Sequence, residues 1–296
     1  MRFDQTSIAI RERSSLEVFD LAANVVVRQF RSLLLLLILN ATPFVLLDYY
    51  LISWMTDVSF SYELSMAYYF AMLALIIGQA QLGTCLITIF MGRVMFMEEH
   101  SVKAVLKQFF SRTTYFLYSQ GILRLALFAV VVAWITPPDD SDAAYLLACF
   151  GLPAITLAGV IVRAARPYVP EVIFLEQTPL KKKGDLPSLS ERSKNLHMLA
   201  AGAISTQFAL LTVLAPLLLL SVHSIFILLD SMLSIRANSE ISLQPFYLLI
   251  SGWLVAGFFA VVRFLMYIDI RIRQEGWAVQ LKFMTENSLL NQSLET

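Results

Sequence analysis

From Phe246 to Leu265 the chain offers water almost nothing. Twenty consecutive residues include one charged side chain, Arg263. The segment then turns charged while keeping helical spacing: Tyr267-Ile268-Asp269-Ile270-Arg271-Ile272-Arg273-Gln274-Glu275-Gly276. About 20 apolar residues are what an α-helix needs to cross a bilayer, so this stretch reads as a membrane helix running on into water. Asp269 and Arg273 stand four apart, as do Arg271 and Glu275, which lets each pair meet on a helix surface. Gly276 stands where a helix-ending glycine belongs.

Five more apolar stretches precede it: Ser32 to Trp54, one within Leu64 to Met97, Thr114 to Ile135, Ala143 to Val162, and one within Met198 to Leu233. They predict an all-α fold, a polytopic membrane bundle of six transmembrane helices with amphipathic helices on the cytoplasmic side. Only 15% of residues are charged, against about a quarter in soluble domains, which excludes a soluble globular chain. The formal net charge is zero, so no overall field draws nucleic acid. Cys85 and Cys149 lie inside apolar runs and read as small buried residues, with no disulfide or metal framework.

Charge position orients the helices. Of the 22 Lys and Arg residues, all but Arg124 and Arg236 fall before the first span, in 92–113, in 163–197, or from Arg263 onward. The intervening connections carry Asp57, Glu63, Asp139, Asp140, Asp142 and Glu240. Basic loops stay inside, so both termini are expected in the cytoplasm. Trp54, Trp134 and Trp277 fall near span ends, as interface anchors do. The first apolar run follows a charged segment of about thirty residues, unlike a cleavable signal peptide. The expected organisation is a cytoplasmic N-terminal segment over 1–31, a six-helix membrane domain over 32–276, and a cytoplasmic tail over 277–296.

Arg13, Glu17, Asp20, Asn24, Arg28 and Arg31 recur at helical steps, which predicts an amphipathic helix over 15–31. It lies at the membrane interface or packs on the protein itself. Ser101 to Arg112 reads the same way. Leu16, Val102 and Ser188 mark three such starts, 86 residues apart in each case, a hint of a cytoplasmic-side helix plus membrane hairpin used three times. Pro43 is expected to bend the first span, Gly78 to Gly83 to weaken the second, and Pro216 to interrupt the fifth. The basic stretch 163–197, with Pro167, Pro170, Pro179 and Pro187, reads as a broken connection.

Two sets of candidate site residues follow. Arg124 lies near mid-bilayer, where an arginine needs partners. Asn40, Gln79, Gln81 and Gln207 fall at similar depths, whereas Asp48 and Asp230 lie nearer the outer side. This set is either a polar cavity for an anion or lipid headgroup, or a structural arginine held by amides. The second set is a cytoplasmic docking cluster: Asp269, Arg271, Arg273 and Glu275, with Glu176, Arg192 and Arg28 as partners, or with another protein received there. Lys181-Lys182-Lys183 can attract anionic lipid or simply fix topology. His100, His197 and His223 are scattered, and no HExxH, Gly-rich phosphate loop or GxSxG is present. The chain therefore reads as non-enzymatic, with no cofactor and no metal.

Leu175-Glu176-Gln177-Thr178-Pro179-Leu180, then Arg192-Ser193, then Tyr267 to Gly276 resemble a bacterial six-span family. It is similar to the membrane domain that precedes the catalytic domain in some glycerophosphodiester phosphodiesterases. This chain departs from that pattern by inserting Lys181 to Glu191, and its 296 residues hold no phosphodiesterase domain. The resemblance implies a multi-pass inner-membrane protein among membrane lipids, not hydrolysis. Two readings of its task stay open: a scaffold or accessory subunit that binds lipid, with a protein partner at the cytoplasmic face, or a small transport or permease component using the polar set around Arg124. The lack of an acidic coupling residue at mid-bilayer counts against ion-coupled transport.

Overall fold

A computed structural model describes residues 13–52, 66–95, 101–117, 150–151, 153–158, 160–161, 167–179, 182, 187–237 and 244–275. Helix dominates, and no strand occurs among the described residues. The labelled elements are α1 (Ser15–Arg28), α2 (Phe30–Ile52), α3 (Met66–Gly83), α4 (Cys85–Met95), α5 (Val102–Phe116), α6 (Val169–Phe174), α7 (Leu189–Ala237) and α8 (Gln244–Glu275). Residues within 150–161 are also helical.

Four helical stretches are long and apolar enough to cross a membrane: Phe30–Ile52, Tyr68–Met95, Ile204–Leu233 and Phe246–Arg273. They coincide with the first, second, fifth and sixth predicted spans and place the chain in a membrane. The third span beyond residue 117 and half of the fourth lie outside the described residues, as do Arg124, Trp54, Trp134, Trp277, residues 1–12 and the chain from Gly276 onward.

The α3–α4 stretch and α8 form the buried centre. Helix α2 packs on both, and α7 packs on α6 and α8. Beyond Ile204, α7 is mostly exposed, as expected of a membrane helix bathed in acyl chains. With 49 residues in one piece, α7 is about 74 Å long at 1.5 Å per residue, far longer than a bilayer core of about 30 Å. Its first turns must therefore stand outside that core.

The break in the second span falls at Thr84, one residue past the predicted weak point. A break frees backbone carbonyls, which cannot stay unpaired in an apolar interior. Side chains meet them here. Asn40 Nδ2 donates to the Leu82 carbonyl at 2.7 Å, the Cys85 thiol donates to the same oxygen at 2.9 Å, and Thr84 Oγ1 donates to the Ala80 carbonyl at 2.6 Å. Gly83 ends α3 directly against the Trp253 ring, and a Cβ there would come within 2.1 Å of that ring. Trp253 is itself buried and stacked on Phe44, so it cannot step aside. Gly83→Ala should therefore destabilise the protein by about 1–3 kcal/mol, although alanine is the better helix former. An unchanged melting temperature in detergent would contradict this packing.

Two expectations are corrected. Pro216 does not interrupt α7, which is continuous from Leu189 to Ala237. A proline removes one N–H, whereas a full break in lipid would leave several backbone groups unpaired. The connection 163–197 is not simply a broken loop either. Its residues 169–174 form α6, buried throughout, with Pro170 in the first turn where the missing N–H is harmless.

The three lead-in helices share one start. Ser14, Ser101 and Ser188 each accept a hydrogen bond from the backbone N–H three residues on, at 3.3, 3.4 and 3.3 Å. These N-caps stand 87 residues apart in each case. Ser14 and Glu17 form a reciprocal capping box. Helix α5 packs on α4, α7 on α6, and α1, the first lead-in helix, packs on α8, the last membrane helix. The first two contacts join chain neighbours; the third joins opposite ends of the chain and closes the bundle. Val18, Ala22 and Val25 form the buried face of α1, and Phe19 meets Phe259 edge-on at 6.3 Å. Leu16 and Val27 stay exposed on another face. Amphipathic helix α1 is thus packed on the protein while keeping a second apolar face free.

Candidate functional site

Three helices, one from each 87-residue unit, meet at a buried ion pair. Glu171 of α6 is fully buried, and its Oε1 accepts from Arg263 Nε of α8 at 2.7 Å. Arg263 Nη2 donates to Thr88 Oγ1 of α4 at 3.1 Å. Glu171 Oε2 and Arg263 Nη1 make no hydrogen bond among the described residues. Taking two charges out of water costs several kcal/mol each, and close pairing offsets that cost. Sequence reasoning missed this pair. The signal was a lone charge in each of two apolar runs, Val169-Pro170-Glu171-Val172-Ile173-Phe174 and Val261-Val262-Arg263-Phe264-Leu265. A lone charge among apolar residues calls for an opposite partner.

About one turn further along, Glu176 gathers three side chains. Arg192 of α7 reaches it through Nε at 2.8 Å and Nη2 at 3.2 Å. Arg271 and the Tyr267 hydroxyl, both of α8, donate to its Oε1. Burial alone would raise the Glu176 carboxyl, but the Arg192 hydrogen bond, the Arg271 charge and the Tyr267 hydroxyl outweigh it and hold the group below its ordinary value. The chain can turn here because Gln177 adopts φ 54°, a left-handed conformation uncommon outside glycine. The Gln177 side chain then accepts from Arg112 Nη2 of α5 at 3.1 Å.

The other clamps join lead-in helices to membrane helices. Arg93 Nη1 donates to Gln108 Oε1 at 3.0 Å, and Gln108 Nε2 donates to the Phe174 carbonyl at 3.0 Å. Tyr168 donates to Gln207 Oε1 at 3.0 Å. Asp269 accepts from the Arg13 backbone N–H at 2.9 Å and from Arg273 Nε at 2.8 Å, and Arg273 Nη2 also donates to the Arg13 carbonyl.

The structure thus brings Glu176, Arg192 and Arg271 together and puts Asp269 and Arg273 in contact. Arg28 is exposed and stands apart, and the Glu275 side chain lies outside the described residues. Three of the amides grouped with Arg124 engage different partners among the described residues. Asn40 serves the break at Thr84, Gln79 binds Asp48, Gln207 binds Tyr168, and Gln81 is buried on α3. No group of three or more His, Cys, Asp or Glu side chains among the described residues is placed to hold a metal ion.

The Asp269–Arg273 clamp gives a sharp test. An exposed i,i+4 pair gives only ~0.3–0.5 kcal/mol, but this one also holds the Arg13 backbone. Asp269→Arg and Arg273→Asp should each lower stability, the first by about 1.5–3 kcal/mol as charged hydrogen bonds are lost. The double variant should not recover it, because position 269 then presents a cation to the Arg13 N–H. Full recovery in thermal unfolding would reduce the clamp to a local pair. No protein-family model, curated protein or solved structure matches the chain.

Proposed function

We propose that the protein is a non-catalytic, six-span protein of a bacterial inner membrane, with both termini in the cytoplasm, acting as a scaffold or accessory subunit that holds lipid or a protein partner at its cytoplasmic face. One observation carries this reading: Glu171 and Glu176 pair with arginines of other helices, and Asp269 with Arg273 clasps the Arg13 backbone just ahead of α1. Acidic groups held this way brace a bundle rather than act on a substrate. The partition of Lys and Arg supplies the orientation, and the resemblance to the phosphodiesterase-associated membrane domain supports the compartment.

Lipid contact is supported by α1. Its free apolar face, with Leu16 and Val27, lies beside the exposed Arg28 and Arg31. Such a helix suits the bilayer surface, apolar side down and arginines at phosphate depth. Purification in native membrane discs followed by mass spectrometry tests the reading. A lipid class or a protein enriched over bulk membrane is expected, and the lipid should fall away in the Arg28→Glu, Arg31→Glu double variant. Absence of any enriched lipid or protein would overturn it. A second reading, a small transport component, draws on the helix break at Thr84, since broken membrane helices often line transport sites.

A further inference from the structure

Three carboxyl groups are buried among the described residues, Asp48, Glu171 and Asp269, and Asp48 is unlike the others. Glu171 and Asp269 each face an arginine. Asp48, on α2, is fully buried and faces no cation among the described residues. Its partner is an amide: Gln79 Nε2 of α3 donates to Asp48 Oδ1 at 2.5 Å. Gln79 is buried too. The remaining oxygens of the two groups, Asp48 Oδ2 and Gln79 Oε1, make no hydrogen bond among the described residues.

An ionised Asp48 would leave a net charge and two unfilled acceptors in an apolar interior, each carrying a desolvation penalty. One proton on Oδ2 removes all three defects. A carboxylic acid and a primary amide are planar groups of matching size. Joined along one edge by Nε2–H to Oδ1, they can close the other edge by Oδ2–H to Oε1. The titratable groups around the pair are Tyr68 and Tyr69 of α3 and Tyr49 of α2 itself. On the α7 side, His223 meets the Tyr69 ring, and Asp230 is engaged with Tyr247 of α8. From α8, Phe246 stacks on Tyr49 and Trp253 on Phe44, so that side brings aromatic rings and no charge.

We propose that Asp48 and Gln79 form an intramembrane proton-binding site: Asp48 binds H+, and the Gln79 amide holds the protonated form through a cyclic pair of hydrogen bonds. The same two oxygens could instead coordinate an alkali cation, and the test separates the two ligands. It stands apart from the scaffold reading, which uses neither residue.

The experiment is infrared difference spectroscopy of the full chain in lipid discs at neutral pH. The wild type should show a protonated carboxylic acid C=O band that Asp48→Asn removes. Gln79→Leu should keep that band and move it to higher frequency, because the acid then loses its hydrogen-bonded partner; this variant also covers the case in which Asp48→Asn fails to fold. Asparagine can keep both hydrogen bonds, so at acidic pH Asp48→Asn should melt at the wild-type temperature. A group that holds its proton more tightly folded than unfolded contributes stability that fades as pH rises. Wild-type melting temperature should therefore fall above the ordinary aspartate range, while Asp48→Asn stays flat there. A wild-type spectrum without an Asp48-dependent acid band, or a melting temperature raised by sodium or potassium only when Asp48 is present, overturns the proposal.

Discussion

Arg263→Met is expected to destabilise the protein by about 3–5 kcal/mol, the usual loss when one partner of a buried ion pair is removed. Glu171 would be left fully buried beside Thr88 with no counter-charge. Glu171→Leu should be comparably damaging, because among the described residues Arg263 would keep only the Thr88 hydroxyl. The double variant, Glu171→Leu with Arg263→Met, should recover most of the loss, since a well-packed apolar pair of similar volume often matches a buried salt bridge. Unfolding of all four proteins in mixed micelles measures this. Three equally damaged variants would mean that Arg263 or Glu171 serves some group other than its partner.

Glu176→Leu is expected to cost about 1.5–3 kcal/mol, the scale of hydrogen bonds to a charged group. It removes the acceptor that Arg192 and Arg271 share, and with it one link between α7 and α8. The loss should stay below that of Arg263→Met because Arg192 and Glu176 keep partial contact with solvent. The same residue shapes the acid limb of stability. Its folded pKa lies below its ordinary value, so its contribution is complete above the unfolded pKa and is lost as pH falls through the folded one. The ordinary value for glutamate is 4.5, so the wild type should weaken as pH drops below that point. Glu176→Gln should start less stable and show a shallower acid limb. An acid limb of unchanged slope would show that Glu176 carries no such linkage.

Much of this architecture was legible because bilayer physics is strict. Apolar runs of span length have few alternatives to helix, which is why four of the predicted spans coincide with long apolar helices. Polar periodicity marked the first two lead-in helices for similar local reasons. Pairing was harder to read. Asp269 and Arg273 are four residues apart on one helix, whereas Glu171 and Arg263 are 92 residues apart. One sequence shows the charges but not who meets whom. Glu176 and Arg192 could be named together only because both lie in one basic connection near the end of the last span. Helix α6 was hidden by its prolines, which read as loop until Pro170 is seen in a first turn. Asp48 was set aside by depth along the helix, a coordinate that carries no information on burial. Its weight comes from the partner it has and the cation it lacks.

In the proposed arrangement the lead-in helices and their ion-pair clamps share the cytoplasmic side of an inner membrane. Single cysteines, placed in a chain with Cys85 and Cys149 changed to alanine, test it directly with a membrane-impermeant thiol reagent on intact cells. Cysteines at Lys103 and Lys182 should label only after the membrane is opened, whereas those at Asp57, Asp140 and Ser239 should label at once. Labelling of Lys103 or Lys182 from outside would contradict the account.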